Sequence, residues 1–158
     1  MNNLKRILLV EDSSRDAELM LDALSANMIA NDVVHVRDGV EALDYLYRRG
    51  TFADRAGGQP ALLLLDLKLP KVDGLEVLRQ VKGDDTLKMI PVVMITSSRQ
   101  EKDLVASYEL GVNAYVVKPM KFQDFVEAVK RVGAFWAVVN EVPPASRAGE
   151  TPPFESPS

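Results

Sequence analysis

Short apolar runs alternate along the chain with segments whose apolar residues recur at helical spacing. The apolar runs cover residues 7–10, 33–36, 61–65, 92–95 and 114–117. The helical segments that follow them cover residues 16–26, 40–47, 75–81, 102–110 and 122–139. Strands that lack polar alternation are typical of sheets covered on both faces. Five such strands, each followed by a helix, predict an α/β fold with a doubly wound, five-stranded parallel sheet.

Two stretches lie outside this alternation. Residues 50–60 form a long, glycine-containing segment before the third predicted strand, and residues 140–158 hold five of the nine prolines. Segments rich in Pro, Ser and Gly tend to be extended or flexible. We therefore expect one domain over residues 1–139, with a long fifth helix, and a flexible tail over residues 140–158.

Composition removes several classes of function. The chain has 19 basic and 23 acidic residues, a net charge of −4, which disfavours a nucleic-acid-binding domain. It has no cysteine, which excludes disulfides and thiolate metal sites. The first apolar run is too short for a signal-peptide core or a membrane span. We expect a cytoplasmic protein with neither a nucleic acid nor a membrane as partner.

Polar residues lie at the ends of four of the five predicted strands. Glu11 and Asp12 come after the first strand, and the third, fourth and fifth strands end in Asp66, Thr96 and Lys118. The carboxyl ends of parallel strands meet at one edge of the sheet, where such proteins bind ligands. Oxygen ligands without His or Cys favour a hard cation such as Mg²⁺. A cation, a lysine and a hydroxyl could hold a phosphoryl group while one carboxylate acts as the nucleophile.

Each of these residues has an ordinary explanation when it is considered alone. An acidic pair after a strand often caps a helix, a threonine often ends a strand, and a lysine is usually a surface residue. Asp66 is the exception, because a carboxylate that follows five apolar residues needs a partner. Their joint occurrence at four strand ends favours a site of phosphoryl chemistry over five unrelated structural roles.

The sequence around these strand ends resembles the CheY-like receiver domains of two-component response regulators. The matching motifs are LLVEDS at 8–13, LLDLKLPKVDG at 64–74, VMITS at 93–97 and AYVVKP at 114–119. The resemblance spans roughly residues 5–132. It implies a flavodoxin-like fold with strand order 2-1-3-4-5, and a phosphoryl group accepted from a histidine kinase.

The resemblance also implies a role for each candidate residue. Asp66 would be the phosphoacceptor, Lys118 would contact the phosphoryl group, and Thr96 with Tyr115 would form the switch pair. The ligands of Mg²⁺ would be Glu11, Asp12, Asp66 and the backbone carbonyl of Lys68. Lys68 stands where the chemotaxis regulator has asparagine, which leaves the rate of dephosphorylation open.

A narrower resemblance is to the small regulators that partner phytochromes. It rests on the long segment before the third strand and on LKMIPVV at 87–93, SYELG at 107–111, and FW at 135–136 followed by VPP at 142–144. It implies that the kinase is of the phytochrome type. A receiver for another kinase, of the chemotaxis or relay type, is the alternative.

The end of the chain predicts how the signal leaves the domain. No output domain follows the predicted fifth helix, so we expect output through protein–protein contact. Phe135, Val138 and Val139 extend the apolar pattern beyond one helix face, which usually marks an interface. We expect a homodimer that uses the fourth helix, fifth strand and fifth helix, or the tail.

Three other functions fit the pattern less well. An inert pseudo-receiver usually lacks a motif residue, and here every motif is complete. A phosphohydrolase that forms an aspartyl phosphate would need a second carboxylate where Lys68 stands. A flavin carrier would need a phosphate-binding loop after the first strand. We therefore expect a signalling protein and not an enzyme.

Overall fold

The structure, a computed structural model, describes residues 6–26, 32–97, 100–118, 121–129 and 131. Strands and helices alternate along these residues. The strands are β1 Arg6–Val10, β2 Asp32–Val36, β3 Leu62–Asp66, β4 Val92–Thr96 and β5 Ala114–Val117. The α-helices are α1 Ser14–Ala26, α2 Gly39–Tyr47, α3 Gly74–Gly83, α4 Glu101–Glu109 and α5 Phe122–Val129. The α/β alternation that the hydrophobic pattern predicts is confirmed.

The five strands form one parallel sheet in the order β2-β1-β3-β4-β5. This is the predicted order and the flavodoxin-like topology. The chain runs from β1 outward to β2, then crosses back to β3 on the other side of β1. Such a reversal opens a crevice beyond the carboxyl ends of the two central strands. Glu11, Asp12 and Asp66 lie at these two strand ends.

The sheet separates the core into two layers. Alternate residues of one strand face opposite layers, because successive side chains point to opposite faces of a sheet. Leu64 packs in a layer with α1 and α5, whereas Leu63 and Leu65 pack in a layer with α2 and α3. All five residues of β3 and of β4 are buried. This two-sided burial explains why the central strands contain uninterrupted apolar runs.

Two strands extend one residue beyond their apolar runs. β3 ends on Asp66 and β4 ends on Thr96, and the register pairs Asp66 with Ile95 and Thr96 with Val117. Ladder hydrogen bonds join backbone groups, so a polar side chain can continue a strand. The two polar side chains are therefore fixed by the sheet and not by a loop.

Helix α3 begins very close to the end of β3. Asp73 caps the helix, because its side chain accepts a hydrogen bond from the Glu76 N–H at 3.0 Å. The Gly74 N–H donates to the Leu67 carbonyl at 2.8 Å. A Cβ on Gly74 would lie 2.2 Å from the Asp66 carbonyl oxygen. Only glycine allows this approach between helix and strand.

Guanidinium groups hold the segment between α2 and β3, which starts with a 3₁₀ turn at Gly50–Phe52. Arg55 donates to the Tyr45 carbonyl at 2.7 Å and lies 4.0 Å from the centroid of the Tyr45 ring. Arg48 donates to the Arg55 carbonyl and Arg6 to the Ala56 carbonyl, both at 2.9 Å. The predicted long loop is thus tied to the domain by side chain to backbone hydrogen bonds.

Several sequence predictions fall outside the described residues. They concern the continuation of the fifth helix to residue 139, the apolar residues 135–139 and the tail 140–158. Among the residues that the structure describes, none of the helices combines the length and apolar composition that spanning a bilayer requires.

Candidate functional site

Three carboxylates converge at the carboxyl edge of the sheet. Glu11 and Asp66 are buried and Asp12 is exposed, and each offers an oxygen within 4.8 Å of the other two. β2 anchors Glu11, because its N–H donates to the Val36 carbonyl at 3.1 Å. The Glu11 carbonyl oxygen lies 2.7 Å from His35 Nε2, so the one histidine has a structural partner. The topology thus gathers residues that the sequence keeps 55 positions apart.

Lys118 supplies the positive charge of the cluster. It follows β5, and its N–H donates to the Thr96 carbonyl at 2.7 Å, which fixes its backbone beside β4. Its Nζ donates to Glu11 Oε1 at 2.9 Å, to Asp66 Oδ2 at 3.0 Å and to Asp16 Oδ2 at 2.8 Å. An ammonium has three N–H groups. All three are used by carboxylates.

Asp16 also belongs to this cluster, although it does not stand at the end of a predicted strand. It lies in the first turn of α1, where an acidic residue is ordinarily explained by the helix dipole. Its contact with Lys118 joins residues 102 positions apart. The sequence feature that could have indicated Asp16 is its position four residues after Asp12, in the first turn of a helix that begins at the edge of the site.

Burial and charge change the ionisation of this group of residues. Burial raises the pKa of Glu11 to about 7; the hydrogen bond from Lys118 opposes this shift, and the nearby Asp66 adds to it. Burial alone would lower the pKa of Lys118, but its hydrogen bonds to Asp16, Glu11 and Asp66 raise that pKa above its ordinary value. Lys118 therefore remains an ammonium at physiological pH, whereas Glu11 can exchange a proton.

Asp66 is oriented through both of its carboxylate oxygens. Oδ2 accepts from Lys118, and Oδ1 accepts from the Lys68 backbone N–H at 3.0 Å. The Lys68 side chain is exposed, and its backbone N–H is the group that contacts Oδ1. A carboxylate held in one orientation beside a cation is arranged to act as a nucleophile.

Thr96 and Tyr115 lie on the neighbouring strands. Thr96 is fully buried at the end of β4. Tyr115 is half-buried in β5, and its ring stacks on that of Tyr108 in α4 at a centroid distance of 6.1 Å. Tyr108 is largely exposed. A tyrosine that bridges β5 and α4 connects the edge strand to a solvent-facing helix.

The donor set fits a hard divalent cation. Glu11, Asp12 and Asp66 offer only oxygen ligands, which suit Mg²⁺, Mn²⁺ or Ca²⁺ and do not suit a thiophilic metal. The charge of Asp66 also disfavours the ionised form of Glu11, and a bound cation would relieve this repulsion.

Comparison with known proteins identifies the family. The model of the "Response regulator receiver domain" matches residues 7–130. Among curated proteins, "Response regulator Rcp1" of Synechocystis sp. is 41% identical over 141 residues, which covers 89% of this chain and 95% of that protein.

Solved structures agree with this match. "Bacteriophytochrome response regulator RtBRR" has 62% identity and a TM-score of 0.79, with 90% of this chain and 86% of that chain covered. The phosphorylated cyanobacterial phytochrome response regulator RcpA has 43% identity and a TM-score of 0.73, covering 89% and 99% of the two chains. Rcp1 has also been solved in an Mn²⁺-bound form, with a TM-score of 0.73. The chain therefore belongs to the response regulator receiver domain family of two-component signalling, and it is similar to the regulators of phytochromes.

Proposed function

We propose that this chain is a phosphorylation switch in which Asp66 accepts a phosphoryl group from a histidine kinase. The observation that carries the proposal is the contact between Asp66 Oδ2 and Lys118 Nζ at 3.0 Å, within a cluster of carboxylates that share this single ammonium. The family match supports the same chemistry.

The transfer needs one bond to form and one to break. An Asp66 oxygen forms a bond to phosphorus while the bond between phosphorus and the histidine nitrogen of the kinase breaks. The nitrogen leaves with the bonding electron pair. Lys118 neutralises charge that develops on the phosphoryl oxygens, and the Lys68 N–H holds the Asp66 carboxylate in position.

We assign the cation as Mg²⁺ and its ligands as Glu11, Asp12, Asp66 and the backbone carbonyl of Lys68. Mg²⁺ is the common hard divalent ion of cells and favours carboxylate, carbonyl and water oxygens. When bound, it would supply further neutralisation of the phosphoryl oxygens. The Mn²⁺-bound form of Rcp1 is support from a relative for a divalent ion in such a protein.

The kinase in this proposal is of the phytochrome type. The support is the similarity to the bacteriophytochrome response regulator RtBRR, to the phytochrome response regulator RcpA and to Rcp1. The net charge of −4 disfavours nucleic acid as a partner, and the proposal is of a cytoplasmic protein whose output is contact with other proteins. A phosphotransfer comparison between phytochrome-type and other kinases tests this assignment directly.

The switch would run from Asp66 through Thr96 to Tyr115. A new phosphoryl oxygen offers the Thr96 hydroxyl an acceptor, and movement of Thr96 frees space for the Tyr115 ring behind it. Tyr115 would then leave its stacking partner Tyr108, and the surface formed by α4, β5 and α5 would change.

Phosphoryl uptake tests the proposed function. Incubation with a small phosphodonor and Mg²⁺ should raise the intact mass of the chain by one phosphoryl group, and excess chelator should prevent the gain without unfolding the protein. A chain that gains nothing from small donors or from any histidine kinase would refute the proposal.

Proton competition should make cation binding depend on pH. Glu11 must be ionised to bind a cation, and its pKa of about 7 leaves half of the population protonated near neutrality. We expect the affinity for Mg²⁺ to be about tenfold lower at pH 6 than at pH 8, as measured by calorimetric titration. Glu11→Gln should bind more weakly at both pH values, with this difference removed. An affinity of the unaltered chain that does not change over this range would contradict the role of Glu11.

We also propose a homodimer formed through α4, β5 and α5 or through the tail. On the described part of this surface, Val105 is 46% and Tyr108 57% exposed. Residues 135–139 add apolar area by sequence, outside the described residues. Analytical ultracentrifugation at roughly 10–100 µM should show a dimer for the full chain and a weaker dimer for a chain ending at Gly133. Monomers in both, with and without phosphodonor, would exclude the dimer.

A further inference from the structure

The three carboxylates around Lys118 differ in their access to water. The side chains of Glu11, Asp66 and Asp16 are 0%, 6% and 32% exposed. The Asp16 contact is nevertheless the shortest of the three, at 2.8 Å. Asp16 is therefore held by Lys118 at least as closely as the others are, and it is the one that water can most readily solvate.

A phosphoryl oxygen can gain a hydrogen bond from Lys118 only if a carboxylate gives one up, since all three N–H groups are in use. Glu11 is fully buried, so water cannot take the place of Lys118 as its partner. Asp66 itself carries the phosphoryl group. Asp16 can exchange its bond to Lys118 for bonds to water at little cost.

We propose that Asp16 is a positioning residue that retains Lys118 in the unphosphorylated protein and competes with the phosphoryl group for it. The inference rests on the proposed function of Asp66. Two effects of Asp16 both lower the affinity of the site for a phosphoryl group. Asp16 occupies one N–H of Lys118, and its negative charge repels a second anion at the same edge of the site. Asp16 thereby sets how strongly the site favours the phosphorylated state.

The test measures the affinity of the full chain for beryllofluoride, an anion that imitates a phosphoryl group on a carboxylate. Calorimetric titration at saturating Mg²⁺ compares the unaltered chain with Asp16→Asn, Asp16→Glu and Asp22→Asn. We expect Asp16→Asn to bind about two- to fivefold more tightly, the range set by one partly exposed ion pair. Asp16→Glu restores the charge and should return the affinity toward that of the unaltered chain.

Asp22→Asn is the matched control. Asp22 lies on the exposed surface of the same helix, and the substitution removes the same charge from the chain. We expect its affinity for beryllofluoride to be unchanged, which separates the contact with Lys118 from net charge. Asp16→Ser removes the same charge with a shorter side chain, and it should shift the affinity in the same direction.

The outcomes separate this inference from the proposed function. If the unaltered chain does not bind beryllofluoride, the proposed chemistry of Asp66 fails. If it binds, and Asp16→Asn and Asp16→Ser bind no more tightly than Asp22→Asn, then Asp16 does not compete for Lys118. Weaker binding by Asp16→Asn and Asp16→Ser would overturn the inference as well, because it would mean that Asp16 orients Lys118 for the anion.

Discussion

Asp66→Asn is expected to abolish phosphoryl uptake completely while the protein remains folded. The amide lacks the anionic oxygen that attacks phosphorus, so no covalent product can form at this position. Its remaining oxygen can still accept a hydrogen bond from the Lys68 N–H or from Lys118 Nζ, and its volume matches that of aspartate. Removal of one charge also relieves the repulsion between Asp66 and Glu11.

Intact mass after incubation with a small phosphodonor and Mg²⁺ measures the loss. Asp73→Asn is the matched control, because Asp73 lies in the same loop between β3 and α3 and Asn also caps helices well. This variant should gain one phosphoryl group like the unaltered chain. A full phosphoryl equivalent on Asp66→Asn would assign the acceptor to another residue.

Gly74→Ala is expected to destabilise the protein by about 3 kcal/mol, the upper part of the range for an overpacked position. The added Cβ would lie 2.2 Å from the Asp66 carbonyl oxygen and 2.8 Å from the Leu67 Cα. Both atoms belong to the backbone, so no side-chain rotation relieves the overlap. Either α3 moves outward or the end of β3 shifts, and the second response displaces the Asp66 carboxylate.

Gly83→Ala on the same helix is the matched control for that change. Apart from its chain neighbours and the backbone of its own helix, a Cβ at Gly83 would meet no atom within 4 Å. Alanine also favours a helix more than glycine does. We expect Gly83→Ala to leave the free energy of unfolding unchanged or to raise it by up to about 1 kcal/mol. Urea unfolding of the two variants gives the comparison. Equal free energies of unfolding for the two variants would show that the contact between α3 and β3 leaves room for a Cβ at Gly74.

The sheet and the main site could be predicted because both depend on short-range patterns. Apolar runs identify buried strands, and the residue at the end of each run is placed by the sheet itself. The positions of Asp66 and Thr96 at the edge of the sheet could therefore be predicted from sequence. Both residues continue the strand, because ladder pairing extends through the backbone beyond the apolar run.

Asp16 could not be found in the same way. Its partner Lys118 is distant in sequence, and their contact depends on where α1 lies relative to the end of β5. The arginines of the segment before β3 are a similar case. Arg48 and Arg55 donate to backbone carbonyls. The acceptors of such long, flexible side chains are determined only in the folded structure.

The separation of the core into two layers has a consequence for how the sequence can vary. Leu64 and Leu65 are adjacent along the chain but belong to different layers. Leu64 and Val93, in contrast, are paired across neighbouring strands and belong to the same layer. Free-energy changes add when residues share no neighbours and depart from additivity when they do. Each side of the sheet can therefore accumulate compensating substitutions as an independent unit. Covariation should run within a layer, across strands or between alternate residues of one strand, and not between consecutive residues.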